Sequence, residues 1–151
     1  MKIREARVDD VEAIHSLITY YAELDRMLFC SPADIYERLQ TFKVAEQDGM
    51  VTGCCAMQVV WEDLAEIKSL AVDKEFAGKG AGRALVQAGI ETARELGVRS
   101  VFTLTLEPGF FEKIGFVRIP RESLPMKVWS DCTRCPKQDH CDEMAMKYAL
   151  D

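Results

Sequence analysis

From Val11 to Leu24 the apolar residues Val11, Ile14, Leu17, Ile18, Tyr21 and Leu24 recur every three or four positions, the spacing of one helix face. Asp9 or Asp10 stands before that stripe as a capping carboxylate. Ser31-Pro32-Ala33-Asp34 then places a hydroxyl ahead of a proline at the first helical position and a carboxylate at the third, predicting a short helix through Ile35 and Leu39. Beyond it the period changes to two. Phe42 to Glu46 and Met50 to Val60 read as strands joined by Gln47-Asp48-Gly49, a hairpin signal. Leu64 to Val72 is the next strand. A regular pleat would set Glu66, Lys68, Leu70 and Val72 on one face against Ile67, Ser69 and Ala71, and two ionisable side chains are more than core packing asks of a central strand.

Ala84, Leu85, Ala88, Ile90, Ala93 and Leu96 form the apolar face of a helix that Gly97 ends, and Val101 to Leu106 is an apolar strand after it. The β-α-β crossover makes the strands on either side parallel neighbours. Phe110 to Ile114 is a short helix stopped by Gly115, Phe116 to Ile119 a strand, and Glu143 to Leu150 a final strand. The expected class is α/β (α+β), a mixed central sheet flanked by helices. At 151 residues the chain is expected to be a single domain, 1–151, large enough to bury a core without disulfides.

Between Val72 and the helix lies Asp73-Lys74-Glu75-Phe76-Ala77-Gly78-Lys79-Gly80-Ala81-Gly82-Arg83. Glycines at alternate positions uncover backbone N–H groups where a helix begins, and there the orphan amides and the dipole both favour an anion. The spacing excludes two familiar cradles. A dinucleotide fingerprint needs its third glycine later, and a P-loop needs Gly-Lys-Ser or Gly-Lys-Thr.

Charge and cysteines narrow the picture. A net charge of −6 and no basic stripe argue against nucleic acid as a partner. The first ten residues are charged, without the apolar stretch of a signal peptide, and no run approaches the roughly 18 apolar residues of a membrane span, so no membrane partner and a cytoplasmic location are expected. Cys30, Cys54 and Cys55 sit among apolar residues as core thiols, whereas Cys132, Cys135 and Cys141 crowd a loop at 130–142. Three ligands leave that loop open to zinc with His140 or a distant thiol, to a disulfide, or to free thiols. It is placed outside the chemistry, which needs no metal.

The glycine loop resembles the pyrophosphate loop of the GNAT acetyltransferase superfamily, and Phe110-Phe111-Glu112-Lys113-Ile114-Gly115-Phe116 resembles that family's aromatic helix before Gly-Phe, which packs beside the pantetheine arm. The order of elements is similar over nearly the whole chain. Further phrases resemble the short, single-domain form of the N-acetylglutamate synthases, without a preceding amino-acid kinase domain. They are Asp34-Ile35-Tyr36-Glu37, the run from Trp61 to Val72, Val101-Phe102-Thr103-Leu104-Thr105, Leu124-Pro125-x-Lys127-Val128-Trp129, and Asp131-Cys132-x-x-Cys135-Pro136 with Cys141-Asp142-Glu143. The resemblance implies a GNAT fold, acetyl-coenzyme A as donor, a small amino acid as acceptor, and a homodimer. It also implies N-acetylglutamate synthesis, the first step of arginine biosynthesis, with direct attack in a ternary complex. Two positions depart from the pattern: the Arg or Gln that opens the loop falls on Ala77, and the arginine that related synthases carry before the serine of the second helix falls on Cys30.

Carried onto this chain, the resemblance assigns Ala77, Gly78, Lys79, Gly80, Ala81, Gly82 and Arg83 to the pyrophosphate, and Phe111 to the pantetheine arm. The backbone amides of Leu70, Ala71 and Val72 are assigned to the arm and the thioester carbonyl, whose developing oxyanion they stabilise. Glu66 is the general base, directly or through water, for an α-ammonium group that must lose a proton before attack. Its alternative is a plain ion pair with Lys68 or a neighbouring arginine. Lys68, Lys127 and Arg26 are the candidate partners of acceptor carboxylates. The tyrosine that often protonates the leaving thiolate falls on Phe111; a thiol pKa near 8.5 makes water, Tyr20 or Tyr21 an adequate substitute. Other readings are an acetyltransferase for another amino acid, such as glutamine, or for a small amine, and a non-catalytic acetyl-coenzyme A sensor or metal-binding interaction module.

Overall fold

Seven strands hydrogen-bond in the order β1-β2-β3-β4-β5-β7-β6 in the computed structural model, which describes residues 1–125 and 143–150. They are β1 (Lys2–Glu5), β2 (Phe42–Gln47), β3 (Met50–Trp61), β4 (Leu64–Val72), β5 (Ser100–Thr105), β6 (Val117–Arg118) and β7 (Met144–Ala149). Helices α1 (Val11–Glu23), α2 (Pro32–Glu37), α3 (Ala81–Leu96) and α4 (Pro108–Ile114) accompany them. β4 and β5 pair in parallel, as the crossover predicts, while β1 with β2, β2 with β3, β5 with β7 and β6 with β7 are antiparallel. The sheet is therefore mixed, as expected. Lys127, His140, Cys132, Cys135 and Cys141 lie outside the described residues.

The chain divides into two compact units, Met1–Gln58 with Ile67–Thr92, and Val59–Glu66 with Ala93–Asp151. In the first unit, β1 went unforeseen because its Lys-Ile-Arg-Glu sequence has one apolar residue. It forms through cross-strand pairing with β2, reinforced by Arg4, whose Nη1 reaches Asp10 Oδ2 at 2.8 Å and whose Nε reaches Glu46 Oε1 at 2.6 Å. Asp10 also accepts the Arg7 N–H at 2.7 Å, so its carboxylate closes the turn ahead of α1 and makes no side-chain cap to the helix itself. The β2–β3 turn has Asp48 and Gly49 at φ +52° and +77°, with Gln47 opposite Met50: a two-residue hairpin of the type that matches strand twist.

Val11, Ile14 and Ile18 of α1, Ile35 of α2, Cys30, and Val44, Cys54, Ala56 and Ala71 of the strands make one buried cluster. On the other side of the strands, α3 approaches closely: a Cβ on Gly89 would stand 2.8 Å from Ile67 Cδ1. The expected pleat of β4 fails between these faces. Ser69 takes a left-handed φ of +55°, and a single such residue interrupts strand alternation. Ile67 meets α3, yet Ala71, of the same parity, lies in the α1–α2 cluster, while Val72 Cγ2 and Leu85 Cδ1 of α3 both approach Gly53. Lys68 is thus separated from the face of Leu70 and Val72.

In the second unit, Leu64, Phe102, Leu124 and Ala145 form a smaller core. Phe111 and Phe116 meet edge to face at 5.1 Å between centroids, and Phe116 packs on Tyr148 at 5.4 Å. Gly115 at φ +121° turns the chain from α4 toward β6.

Candidate active site

The first unit holds the anion cradle. Asp73 donates its N–H to the Thr52 carbonyl at 2.8 Å and accepts the Glu75 N–H at 2.9 Å, starting a single turn of 3-10 helix, Lys74–Phe76. Gly78 and Gly80 then take φ of +79° and +90°, where a side chain is strained, although a Cβ at either would meet nothing within 4 Å. Backbone conformation, and not crowding, requires glycine at both. The first bond of α3 that involves Gly80 runs from the Ala84 N–H to its carbonyl at 3.0 Å, so the amides of Ala81, Gly82 and Arg83 stand ahead of the helical ladder. The helix begins three residues earlier than its apolar pattern indicates, at Ala81 in place of Ala84.

Gly80 has no side chain with which to cap those amides, and the first turn of α3 contains no acidic residue. Exposed Lys79 and Arg83 add positive charge, with Lys79 Nζ 5.6 Å from the centre of the Phe76 ring. Ala77 is exposed and Ala81 buried. An anion with several oxygens, such as a pyrophosphate, fits this arrangement of amides, dipole and cations.

Beside the cradle, the end of β4 is held by a contact absent from the sequence reading. The Tyr21 hydroxyl donates to the Val72 carbonyl at 2.5 Å. Burial, together with Tyr20, pushes its pKa up, so the phenol keeps its proton. The Ala71 amide faces the Cys54 thiol, and Cys54 Sγ lies 3.5 Å from the Ser69 carbonyl. Because successive amides of a strand point to opposite edges, those of Leu70 and Val72 turn away from β3. Of the three amides expected to serve the thioester arm, that of Ala71 is the one directed at β3. Lys68 is half-buried on β4; Arg26 is exposed just beyond α1 and donates its backbone N–H to the Tyr21 carbonyl at 3.0 Å.

In the second unit, Glu66 is 7% exposed, opposite Phe102 at the last registered pair of the β4–β5 ladder. Phe111 is buried in the aromatic group of α4. Among the described residues, no group of three or more His, Cys, Asp or Glu could hold a metal ion.

An uncapped, glycine-led helix following a bulged strand is an arrangement suited to a phosphate-bearing ligand. The chain matches the acetyltransferase (GNAT) family over residues 8–116 and belongs to that family. It is an acyltransferase whose donor is acetyl-coenzyme A. An uncharacterized N-acetyltransferase of Chlorobaculum tepidum is 46% identical over 148 residues, 98% of this chain and 96% of that one. An amino-acid acetyltransferase of Mycobacterium tuberculosis is 38% identical over 135 residues, 87% of this chain and 77% of that one. A crystal structure of an M. tuberculosis protein in complex with CoA and NLQ superposes with a TM-score of 0.87 at 33% identity, covering 100% of both chains. N-acetylglutamate synthase of Neisseria gonorrhoeae, complexed with coenzyme A and N-acetyl-glutamate, gives a TM-score of 0.91 at 26% identity; 99% of this chain matches 35% of that one.

No described helix is long and apolar enough to cross a membrane.

Proposed function

We propose that the protein transfers the acetyl group of acetyl-coenzyme A to the α-amine of an amino acid, with glutamate as the acceptor and arginine biosynthesis as the setting. The observation that carries this reading is the similarity, across nearly the whole chain, to an enzyme named amino-acid acetyltransferase and to a synthase complexed with N-acetyl-glutamate. It is supported by an open helix N-terminus suited to the donor's phosphates.

Acetyl-coenzyme A supplies an electrophilic thioester carbonyl. The protein holds its pyrophosphate on the amides of Gly78 to Arg83 and its arm on the edge amides of Leu70 and Val72, where positive partial charge favours a developing oxyanion. Glu66 takes the ammonium proton of the acceptor, directly or through water. Lys68, Lys127 and Arg26 orient the acceptor's carboxylates. The amine attacks directly. Cys54 and Cys55 are fully buried, burial pushing the Cys55 thiol up to about 12 and the Cys54 thiol higher still, which makes both poor nucleophiles for an acetyl-enzyme. The leaving thiolate takes its proton from water or Tyr20, since the Tyr21 hydroxyl is engaged with the Val72 carbonyl.

A second reading keeps the donor and changes the acceptor to glutamine or another amino acid, and Cys30, in the position of an arginine in the resembled synthases, favours it. A thiol-release assay over a panel of amino acids separates the two: highest kcat/KM with glutamate supports the first, with glutamine the second, and no turnover with either overturns both. Glu66→Gln is expected to lower kcat by about 100-fold or more while leaving the KM for acetyl-coenzyme A unchanged; undiminished kcat removes Glu66 as the base.

A further inference from the structure

The α2 end of the first unit contains an arginine with an unusual partner. Arg38, the residue that ends α2, is half-buried, and its Nη2 lies 3.9 Å from Cys30 Sγ. A thiol is a weak acceptor for a guanidinium, whose five N–H groups form a rigid fork suited to a carboxylate. Among the described residues no carboxylate lies within ion-pair distance of Arg38: Asp34 turns back to the Ser31 N–H, and Glu46 and Asp10 are taken by Arg4. Among the described residues the fork of this half-buried guanidinium thus meets a sulfur and no carboxylate, an arrangement that an anionic ligand suits.

Its backbone is fixed as well. The Arg38 N–H donates to the Asp34 and Ile35 carbonyls, and its own carbonyl accepts both the N–H and the hydroxyl of Thr41. Cys30 is 6% exposed and belongs to the cluster containing Cys54 and Ala71, and Cys54 in turn touches the Ser69 carbonyl. The Arg38 contact thus falls on a residue of the α1–α2 cluster, the same side of the strands as Ala71. Lys68, adjacent to α3-facing Ile67 and before the bulge, has the parity of that same side. The phosphate cradle is at the start of α3, on the opposite side.

We infer that Arg38 is a specificity-determining residue that binds a carboxylate of the amino-acid acceptor, supplying from the end of α2 the guanidinium that Cys30 lacks at its start. The small thiol at position 30 makes room for the Arg38 fork. This inference rests on the proposed amino-acid acetyltransferase activity.

The test compares the full-length wild type with R38A, R38K and the double variant C30R/R38A by thiol release, using the amino acid of highest turnover and its carboxamides. R38A is expected to raise the acceptor KM by about 30-fold or more, with the KM for acetyl-coenzyme A unchanged. Its penalty should vanish for the carboxamide that lacks the recognised carboxylate. R38K, which keeps the charge without the fork, should recover part of the loss, and C30R/R38A, which moves the fork across the contact, at least half of it on a logarithmic scale. Thermal melting of each variant identifies any that fail to fold; R38K then carries the comparison. An acceptor KM equal to wild type in R38A and R38K overturns the role of Arg38 alone. A wild type that turns over no amino acid, or that accepts the carboxamides as well as the acids, overturns the acceptor reading and this inference together.

Discussion

α2 and α3 both start abruptly after a turn, in the same unit, yet their first amides meet different surroundings. At α2 the Ser31 hydroxyl accepts the Asp34 N–H and the Asp34 carboxylate accepts the Ser31 N–H, each at 3.1 Å, so the end is closed by its own side chains. The turn before α1 is closed in a similar way by Asp10. At α3, Gly80 can offer nothing and no acid follows it. A cap typically contributes about 1 kcal/mol to a helix, so α3 forgoes local stabilisation that α2 has. What it retains is an unneutralised dipole and three outward amides, which a phosphate can satisfy. The proposed phosphate site thus rests on a glycine where α2 carries a capping serine.

Closing the open end is expected to produce the largest effect. Gly80→Asp places a carboxylate where the phosphate belongs and strains a backbone at φ +90°, and should raise the KM for acetyl-coenzyme A about 100-fold, the value of roughly two charge-assisted hydrogen bonds. Coenzyme A should also cease to raise its melting temperature; an undiminished thermal shift would break the contrast between the two helices.

Asp10→Asn acts at a closed end and should leave the KM for acetyl-coenzyme A alone while costing about 2 kcal/mol near neutral pH. The hydrogen bond from Arg4 is the main cause that holds the Asp10 carboxyl below its ordinary range. Its stabilisation is fully present above the unfolded-state pKa of about 3.9 and disappears as pH falls through the lower, folded-state value. Urea melts from pH 7 downward should show the wild type losing its advantage over Asp10→Asn in that acid window; a constant difference would refute the linkage.

Ser31→Ala is the mildest change. Removing one half of the α2 box should cost about 1 kcal/mol in chemical denaturation, with both substrate KM values preserved. A raised KM for acetyl-coenzyme A would show that capping at α2 and anion binding at α3 are not separable.

Much of this division can be read along the chain. Ser-x-x-Asp around Pro32, Asp48-Gly49, and alternating glycines after an apolar strand are local signals, because capping and positive φ depend on residues a few positions apart. β1 was not legible: its two charged pairings depend on Asp10 and Glu46, which no local pattern connects to Arg4. Nor was the left-handed Ser69, an ordinary residue in an ordinary strand pattern, and its bulge is what overturned the simple pleat and separated Lys68 from Leu70 and Val72. The Tyr21 hydroxyl on Val72 was hidden for a similar reason, being a side-chain contact formed only when α1 lies on the strands; that of Arg38 with Cys30 spans the two ends of α2.

By itself, then, the sequence determined the order of elements, the turn chemistry and the open, glycine-led start of α3, all of which follow from short-range sterics and hydrogen bonding. Tertiary structure decided where the pleat of β4 breaks, which carboxylates Arg4 occupies and which carbonyl Tyr21 meets, because each depends on packing between residues that no local pattern connects.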